Sequence, residues 1–314
     1  MSWSVCSSKT WGGSGWSVLL AVLCGCTSLE DGTDTATAPL NPQWDCLKSE
    51  PERVAAIDPP PANIAYAVPI VDFTKRPPTE IPALEVDFCQ LESNACNRVM
   101  GKPNMVEAVF GGAKVTVPLY VIGTRYGIHA YMRLSAPGYL PMEYYLGGEL
   151  FGPPPSQAMS GVDVSGISAA LGGLPVVMGL PVAPISVEAA DALAEKIGKP
   201  RDPNAAIVAV RTLDCQNQYA AGVRLKLSVP GSEQTGVPFS YLTGQPRLAA
   251  NAATDSRGIA GFANVEIPTG VDSTNVIVTG IAPNGMEYGA INVTIRRGAV
   301  TLASIRHGTG VYGL

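Results

Sequence analysis

The sequence has few histidines and few charges. Its 314 residues include two histidines, and charged residues make up 15% of the chain, against about 25% in typical soluble domains. Hydrolytic triads and most catalytic zinc sites need histidine beside a nucleophile or a metal. Neither His129 nor His307 lies in a G-x-S-x-G, H-E-x-x-H or phosphate-loop motif. We therefore expect no enzyme activity, no cofactor and no metal site.

Positive charge and long apolar runs are scarce as well. Lys and Arg number 21 against 26 Asp and Glu, a net charge of −5, whereas a nucleic-acid partner requires a basic face. The apolar run at residues 16–23 is much shorter than the ~18–20 residues that span a bilayer as a helix. These features argue against nucleic-acid binding and against a membrane-spanning helix in this region.

The N-terminus has the layout of an export signal. Lys9 is the only charge before Glu30, and the apolar run is followed by small residues. Leu23-Cys24-Gly25-Cys26 resembles the bacterial lipobox, which implies lipidation of Cys26 and cleavage after Gly25. By resemblance to enterobacterial sorting, Thr27 then implies the outer membrane. The alternative is an ordinary cleaved signal peptide with a chance cysteine.

We accordingly predict a lipoprotein signal peptide at residues 1–26 and a disordered tether at residues 27–45. The tether residues are small, polar and acidic, so they cannot bury enough apolar surface to offset the entropy lost on ordering. The predicted location is exported and lipid-anchored, with the membrane as a partner through the anchor.

Seven cysteines are present, and four of them, Cys46, Cys89, Cys96 and Cys215, follow the predicted anchor. An even number in an oxidising compartment favours disulfides, although four cysteines allow three pairings. Cys89 and Cys96 flank a short polar loop and would close easily, leaving Cys46 for Cys215. Buried free thiols are the alternative. Zinc is not expected, because no CxxC pair occurs.

The remaining chain has the composition of an all-β protein. Its 34 glycines and 27 prolines punctuate many short segments. Side chains alternate at 128–134, 206–211, 223–229 and 291–296, a period of two that is typical of half-buried strands.

We predict two β-sandwich modules, transthyretin-like or immunoglobulin-like, at residues 46–158 and 203–314. A Gly/Pro-rich connector at residues 159–202 joins them. It contains one short helix at 187–197, for which Ser186 is the expected N-cap.

A motif in the second module resembles a known family. Residues 254–265 (TDSRGIAGFANV) look like the signature of carboxypeptidase regulatory-like domains, which have a transthyretin-like sandwich. Asp255 and Gly258 fit the first and last positions of a type I turn, and Ala260 and Phe262 should share one face of the next strand. The resemblance implies an accessory domain without activity of its own.

One surface could bind a ligand. His129, Tyr131 and Arg133 share the polar face of a predicted strand, and Tyr145 follows nearby; exposed rings of this kind stack on sugars in carbohydrate-binding sandwiches. The alternative is that the tyrosines fill the core and the sheet faces. Glycoside cleavage uses a pair of carboxylates, and Glu143 with Glu149 could be such a pair. Acidic residues this close in sequence are too common for the pair to predict an active site.

We therefore expect a non-catalytic envelope lipoprotein that presents sandwiches for structural or adhesive interaction. The alternative is a carbohydrate- or peptide-binding accessory lipoprotein of an envelope complex. Its partner would be cell-wall polysaccharide or an envelope protein.

Overall fold

The structure is a computed structural model. It describes residues 44–48, 62–72, 79–91, 95–99, 102–110, 113–125, 130–146, 165–179, 182–216, 218–229, 232–233, 236–242, 245–248, 253–254 and 258–307. Most of the predicted signal peptide and tether, including Cys26, lies outside these residues, as do His129, Glu149 and Asp255.

The described residues are mostly β-strand. The strands before the predicted connector are β1 (Asn63–Pro69), β2 (Glu85–Gln90), β3 (Cys96–Arg98), β4 (Asn104–Phe110), β5 (Ala113–Arg125), β6 (Ala130–Ser135) and β7 (Met142–Tyr145). The connector contains α1 (Ser165–Ala170), β8 (Val176–Met178) and α2 (Val187–Lys196). The later strands are β9 (Ala206–Thr212), β10 (Arg224–Val229), β11 (Ser232–Glu233), β12 (Val237–Leu242), β13 (Gln245–Leu248), β14 (Ile259–Val265), β15 (Ser273–Ile281), β16 (Glu287–Arg296) and β17 (Val300–Ile305).

These strands form three sheets, which we name by position. The central sheet has nine strands in the order β13-β12-β14-β9-β17-β7-β6-β2-β3. The amino-terminal outer sheet is β4-β5-β1-β8, and the carboxyl-terminal outer sheet is β11-β10-β15-β16. The fold class is all-β, as predicted, with sheets packed in a sandwich.

The central sheet is covered on both faces. One core joins it to the amino-terminal outer sheet and to α2, for example through Met132, Tyr66 and Leu193. A second core joins its other face to the carboxyl-terminal outer sheet, for example through Val208 and Val293. Strands β9 and β17 pair in parallel and are buried at every position, as expected for strands with a covered sheet face on either side.

Strands from both predicted modules lie in the central sheet. Strand β7, from the first, pairs in parallel with β17, from the second. The two predicted modules therefore share one layer, and the pairing continues from one to the other without a break.

The predicted helix is present as α2. The Ser186 hydroxyl accepts a hydrogen bond from the Ala189 amide at 3.2 Å, Glu188 lies in the first turn and Lys196 in the last. These are the features expected of a capped helix whose charges oppose its dipole.

Strands β1 and β8 are among those that the periodicity does not predict. Strand β1 (NIAYAVP) is buried from its second residue to its last. Ile64, Tyr66 and Val68 pack in the first core, and Ala65 and Ala67 on the other face are buried as well. A strand that is buried on both faces has no polar side to alternate with its apolar one. Strand β8 has three residues, which is too short to show a period.

Candidate functional site

The structure brings three of the four predicted surface residues together. Strands β6 and β7 are antiparallel neighbours, with Tyr131 opposite Tyr145 and Arg133 opposite Glu143. Tyr131 and Tyr145 both belong to the second core, so these side chains lie on the face toward the carboxyl-terminal outer sheet. The fourth residue, His129, lies outside the described residues.

The two tyrosines do not form an exposed platform. Tyr131 is 4% exposed and Tyr145 is 2% exposed; their rings are stacked with centroids 5.1 Å apart. The prediction that these rings stack on a sugar is therefore wrong. The alternative, that they fill the space between the sheets, is what the structure has.

Tyr145 has a structural contact that explains its burial. Its hydroxyl oxygen accepts a hydrogen bond from the Thr294 backbone amide at 2.7 Å, and the Thr301 hydroxyl donates to the Thr294 carbonyl at 3.1 Å. Thr294 lies on β16, the edge strand of the carboxyl-terminal outer sheet. The hydroxyls of Tyr145 and Thr301 thus satisfy the amide and the carbonyl of Thr294. At a sheet edge these backbone groups would otherwise be available for pairing with another chain.

A row of alternating charges crosses four strands beside the tyrosines. We call Arg98, Asp87, Arg133 and Glu143 the charge row, since each is directly opposite the next across β3, β2, β6 and β7. Arg98 Nε lies 2.5 Å from Asp87 Oδ1, and Arg133 Nε lies 3.5 Å from Glu143 Oε1. Opposite charges directly across neighbouring strands stabilise a sheet.

Arg296 joins the charge row from the other sheet. Its Nε donates to Glu143 Oε1 at 2.5 Å, and the Glu143 side chain is 2% exposed. Burial lowers the pKa of Arg296, but the hydrogen bond to Glu143 and its negative charge outweigh this and raise the pKa. Glu143 therefore accepts a hydrogen bond from Arg296 of the outer sheet and forms an ion pair with Arg133 of its own sheet, so it links the two sheets.

The charges in this region balance. At its outer end, Arg98 also contacts Glu85 at 3.1 Å, so Arg98, Arg133 and Arg296 face Glu85, Asp87 and Glu143. Burial raises the pKa of Tyr145 well above its usual value, and the charge of Glu143 adds to this effect, so the hydroxyl stays neutral. The arrangement carries no net charge with which to attract an ion.

Both disulfides are formed as the short-loop pairing predicts. Cys89 is opposite Cys96 across β2 and β3, with their Cα atoms 4.0 Å apart. Cys46 is bonded to Cys215 with a Cα–Cα distance of 5.6 Å. The first closes an edge hairpin, and the second joins the start of the described chain to the segment after β9.

Thr254, the first residue of the motif, is buried and lies at a polar junction. The Thr254 hydroxyl donates to the Ala220 carbonyl at 2.6 Å and accepts from the Val223 amide at 3.1 Å. Gly258 has a positive φ of 67°, and a Cβ there would lie 2.5 Å from the Thr212 carbonyl oxygen. Only glycine fits at this position, directly before β14, because a Cβ would collide with the neighbouring backbone.

The rest of the motif follows its expected geometry. Ala260 and Phe262 both face the second core, as predicted for one face of a strand. Asn264 has a positive φ of 52° and donates to the Pro200 carbonyl at 2.8 Å while accepting from the Asp202 amide at 3.0 Å. It fastens the end of the connector to β14.

Sequence reasoning missed the role of Glu143 and of Arg296. Glu143 lies in the four-residue strand β7 (MEYY), which is buried throughout. A single carboxylate inside such a short apolar strand requires a cationic partner, and this could have marked it. Its partner Arg296 is 153 residues away, and a single sequence does not show such a pairing.

No group of three or more His, Cys, Asp or Glu side chains that could hold a metal ion occurs among the described residues. Within the same part of the chain, no helix is long and apolar enough to cross a membrane.

No protein-family model matches the chain, and no curated protein matches it. Among solved structures, it is similar to the Bacillus anthracis TIE protein, with 9% identity, a TM-score of 0.22 and coverage of 78% of this chain and 34% of that one. A streptococcal ancillary pilin has 10% identity, a TM-score of 0.21 and coverage of 78% and 68%. A minor pilin of Streptococcus agalactiae has 11% identity, a TM-score of 0.22 and coverage of 78% and 95%. The chain spans about a third of the length of the TIE protein. Scores this low carry no argument about function.

Proposed function

We propose that this chain is an exported, non-catalytic lipoprotein of the cell envelope, held in the membrane through an acylated Cys26. Its folded body would serve a structural or adhesive role outside the cytoplasm. The proposed sorting is to the outer membrane.

The observation that carries the proposal is the pairing of the cysteines. All four cysteines that follow Cys26 are paired, Cys46 with Cys215 and Cys89 with Cys96. Disulfides of this kind persist in exported proteins and are rare in the cytosol. After cleavage at the predicted site, Cys26 would be the one cysteine without a partner in the body, and it stands where the lipobox resemblance places the lipid.

The charge row supports a structural role for the body. Its four residues, together with Arg296 and Glu85, form ion pairs with one another, and the Tyr145 hydroxyl accepts a hydrogen bond from the edge strand of the neighbouring sheet. Two of these contacts, Arg296 with Glu143 and Thr294 with Tyr145, join the central sheet to the carboxyl-terminal outer sheet.

The carbohydrate-binding alternative loses its main support, since Tyr131 and Tyr145 are buried. It is tested directly by incubating the purified body with cell-wall polysaccharide and with envelope proteins. Retention on polysaccharide that survives in Tyr131→Ala and Tyr145→Ala would indicate a glycan site elsewhere on the body.

The anchor is tested by membrane fractionation and by labelling with a radioactive fatty acid. The native chain and Cys24→Ala should both be labelled and sediment with the outer membrane. Cys26→Ala should lose the label and become soluble or remain unprocessed. Cys24→Ala is the matched control, because it removes a neighbouring thiol without changing the predicted acceptor. Equal labelling of native chain and Cys26→Ala would contradict the proposal.

A further inference from the structure

The start of the described chain is fastened to the carboxyl-terminal half of the body. Besides the Cys46–Cys215 disulfide, the Cys46 amide donates to Cys215 Sγ at 3.1 Å. Leu47 is 9% exposed and lies in the second core. The Trp44 ring packs edge-on against Tyr288, with centroids 5.1 Å apart. We call residues 44–48 the clasp segment.

The loop that receives the clasp segment is held firmly. One oxygen of Asp214 accepts from the amides of Gln216 and Gln218 at 2.8 and 2.9 Å. The Leu213 amide donates to the Ile305 carbonyl at 2.9 Å. Cys215 therefore lies three residues after the end of β9, and the preceding Leu213 is hydrogen-bonded to the end of β17. Strands β9 and β17 lie side by side in the central sheet.

We propose that the Cys46–Cys215 disulfide is the mechanical junction between the membrane anchor and the folded body. This rests on the proposed anchoring through Cys26. A pull on the anchor would then enter the body at Cys215, beside the central sheet. It would not travel along the backbone from Lys48 to β1.

The consequence is that most of the fold lies outside the path of the load. The disulfide joins residues 169 positions apart, and the chain between them includes β1 to β9. If the disulfide were absent, the pull would reach β1 at Asn63, whose strand is held by pairing with β5 and β8. If β1 were pulled out, the amino-terminal outer sheet would break first, because β1 lies between β5 and β8.

A backbone cut tests the junction in the full-length protein. A protease site is introduced between Lys48 and Ala62, and membranes that carry the protein are treated with the protease. We expect the cut body to stay in the membrane fraction until a thiol reductant is added, and then to be released almost completely. One buried leucine and one aromatic contact bind no tighter than about millimolar, so they should not retain the reduced body.

Two double variants complete the design. Cys46→Ser with Cys215→Ser should be released by the protease alone, whereas Cys89→Ser with Cys96→Ser, which removes the other disulfide, should behave like the native chain. The native protein with and without reductant gives the answer even if a variant folds poorly. Release of the native body without reductant, or its retention after reduction, would overturn the proposal. Failure of the anchor itself is distinguishable, since the uncut protein would then be soluble.

A mechanical measurement on the same full-length chain checks the load path. When the chain is stretched between its two ends, reduction should add about 600 Å of extensible length, since 169 residues are released at about 3.5 Å each. An extension that does not change on reduction would show that the disulfide does not carry the load.

Discussion

At the residue scale, the charged and aromatic side chains of the candidate site stabilise the contact between sheets. Glu143 is buried and contacts Arg133 of its own sheet and Arg296 of the next. A buried carboxylate is costly unless it is paired and hydrogen-bonded. The contribution of Glu143 to stability therefore depends on its ion pairs with the two arginines, and a substitution of Glu143 can measure it.

We expect Glu143→Gln to destabilise the protein by about 1–3 kcal/mol. Removing one partner of a fully buried ion pair costs about 3–5 kcal/mol, but both arginines are more than a third exposed, so solvent weakens the effect. The check is the free energy of unfolding in urea. Glu85→Gln is the matched control, since Glu85 is 57% exposed and its loss should cost within about 0.5 kcal/mol. Equal effects of the two substitutions would show that the buried pair contributes nothing.

Tyrosine pKa values predict a loss of stability in alkali. Burial and the hydrogen bond that Tyr139 donates to Asp72 raise the pKa of Tyr139 to about 12, against about 10 in an unfolded chain. Because the folded protein holds this proton more tightly, the stabilisation is complete below about pH 10 and is lost as the pH rises toward about 12. Unfolding measured in urea from pH 8 upward should show this fall.

The contribution of Tyr139 to this loss of stability can be isolated with the Tyr139→Phe variant. That variant should be less stable than the native chain at pH 8, since Asp72 loses one hydrogen bond. The difference in the free energy of unfolding between the two proteins should narrow above about pH 10, because only the native chain loses the stabilisation from Tyr139 as that hydroxyl ionises. Lysines and the other tyrosines titrate in both proteins, so their effects cancel. Curves that stay parallel across this range would contradict the raised pKa.

Residue types in the sequence predicted only part of this site. The even number of cysteines and the short loop between Cys89 and Cys96 indicated both disulfides, because loop closure depends on local spacing. Alternation correctly placed Tyr131 and Arg133 on one face of β6. It could not show that this face is covered by another sheet, because burial depends on segments distant in sequence. The sequence therefore left open whether Tyr145 lies on a surface or in the core.

At the element scale, the disulfides differ in the length of chain that they close. In the chain-entropy model, a cross-link stabilises by restricting the unfolded chain, and more so for longer loops. The loop of 169 residues corresponds to about 5 kcal/mol and the loop of 7 residues to about 2.5 kcal/mol on this scale. The two disulfides should therefore contribute unequally.

We expect Cys46→Ser with Cys215→Ser to lower the midpoint of chemical unfolding more than Cys89→Ser with Cys96→Ser. Both variants lose two sulfurs and gain two hydroxyls, so each is the control for the other. An equal fall in the midpoint for both variants, or a larger fall for the variant without Cys89–Cys96, would contradict the prediction. It would show that the Cys46–Cys215 disulfide does not stabilise the protein by restricting the unfolded chain.

Close packing between β14 and β9 requires glycine at position 261. A Cβ at Gly261 would collide with the Val208 carbonyl oxygen and lie 2.8 Å from the Phe239 ring. We expect Gly261→Ala to cost about 1–3 kcal/mol, the usual range for overpacking, measured by urea unfolding. Gly123→Ala in β5 is the matched control: nothing lies within 4 Å of its added Cβ, and its effect should stay within about 0.5 kcal/mol. A tolerated Gly261→Ala would show that β14 can shift away from β9.

The elements differ in how well their sequences predict them. Strand β16 alternates buried and partly buried positions along most of its length, so its period of two is visible. Helix α2 has a cap and a stop that are local in sequence. Strand β1 has neither alternation nor a distinctive turn, because both of its faces are covered. One face is buried in the core shared with the central sheet, a contact with segments distant in sequence that no local pattern reveals.

At the scale of the whole molecule, the central sheet connects the two halves of the chain. The sequence predicts modules at 46–158 and 203–314, which would be expected to unfold independently if they were separate. The structure instead places β7 beside β17 in parallel, and Glu143 on β7 contacts Arg296 on β16. Breaking one half would thus expose core and backbone groups of the other, which favours a single cooperative unit.

We therefore expect one heat-absorption peak in scanning calorimetry, with equal calorimetric and van't Hoff enthalpies. Gly261→Ala changes only the second half of the chain, yet it should move the whole peak to lower temperature. Gly123→Ala, which alters the first half without a clash, should leave the peak in place. Two independent modules would give the opposite pattern, with two overlapping transitions of which Gly261→Ala shifts one. Because β17 lies between β9 and β7, unfolding of either half would remove a pairing partner from the other, and we expect the first outcome.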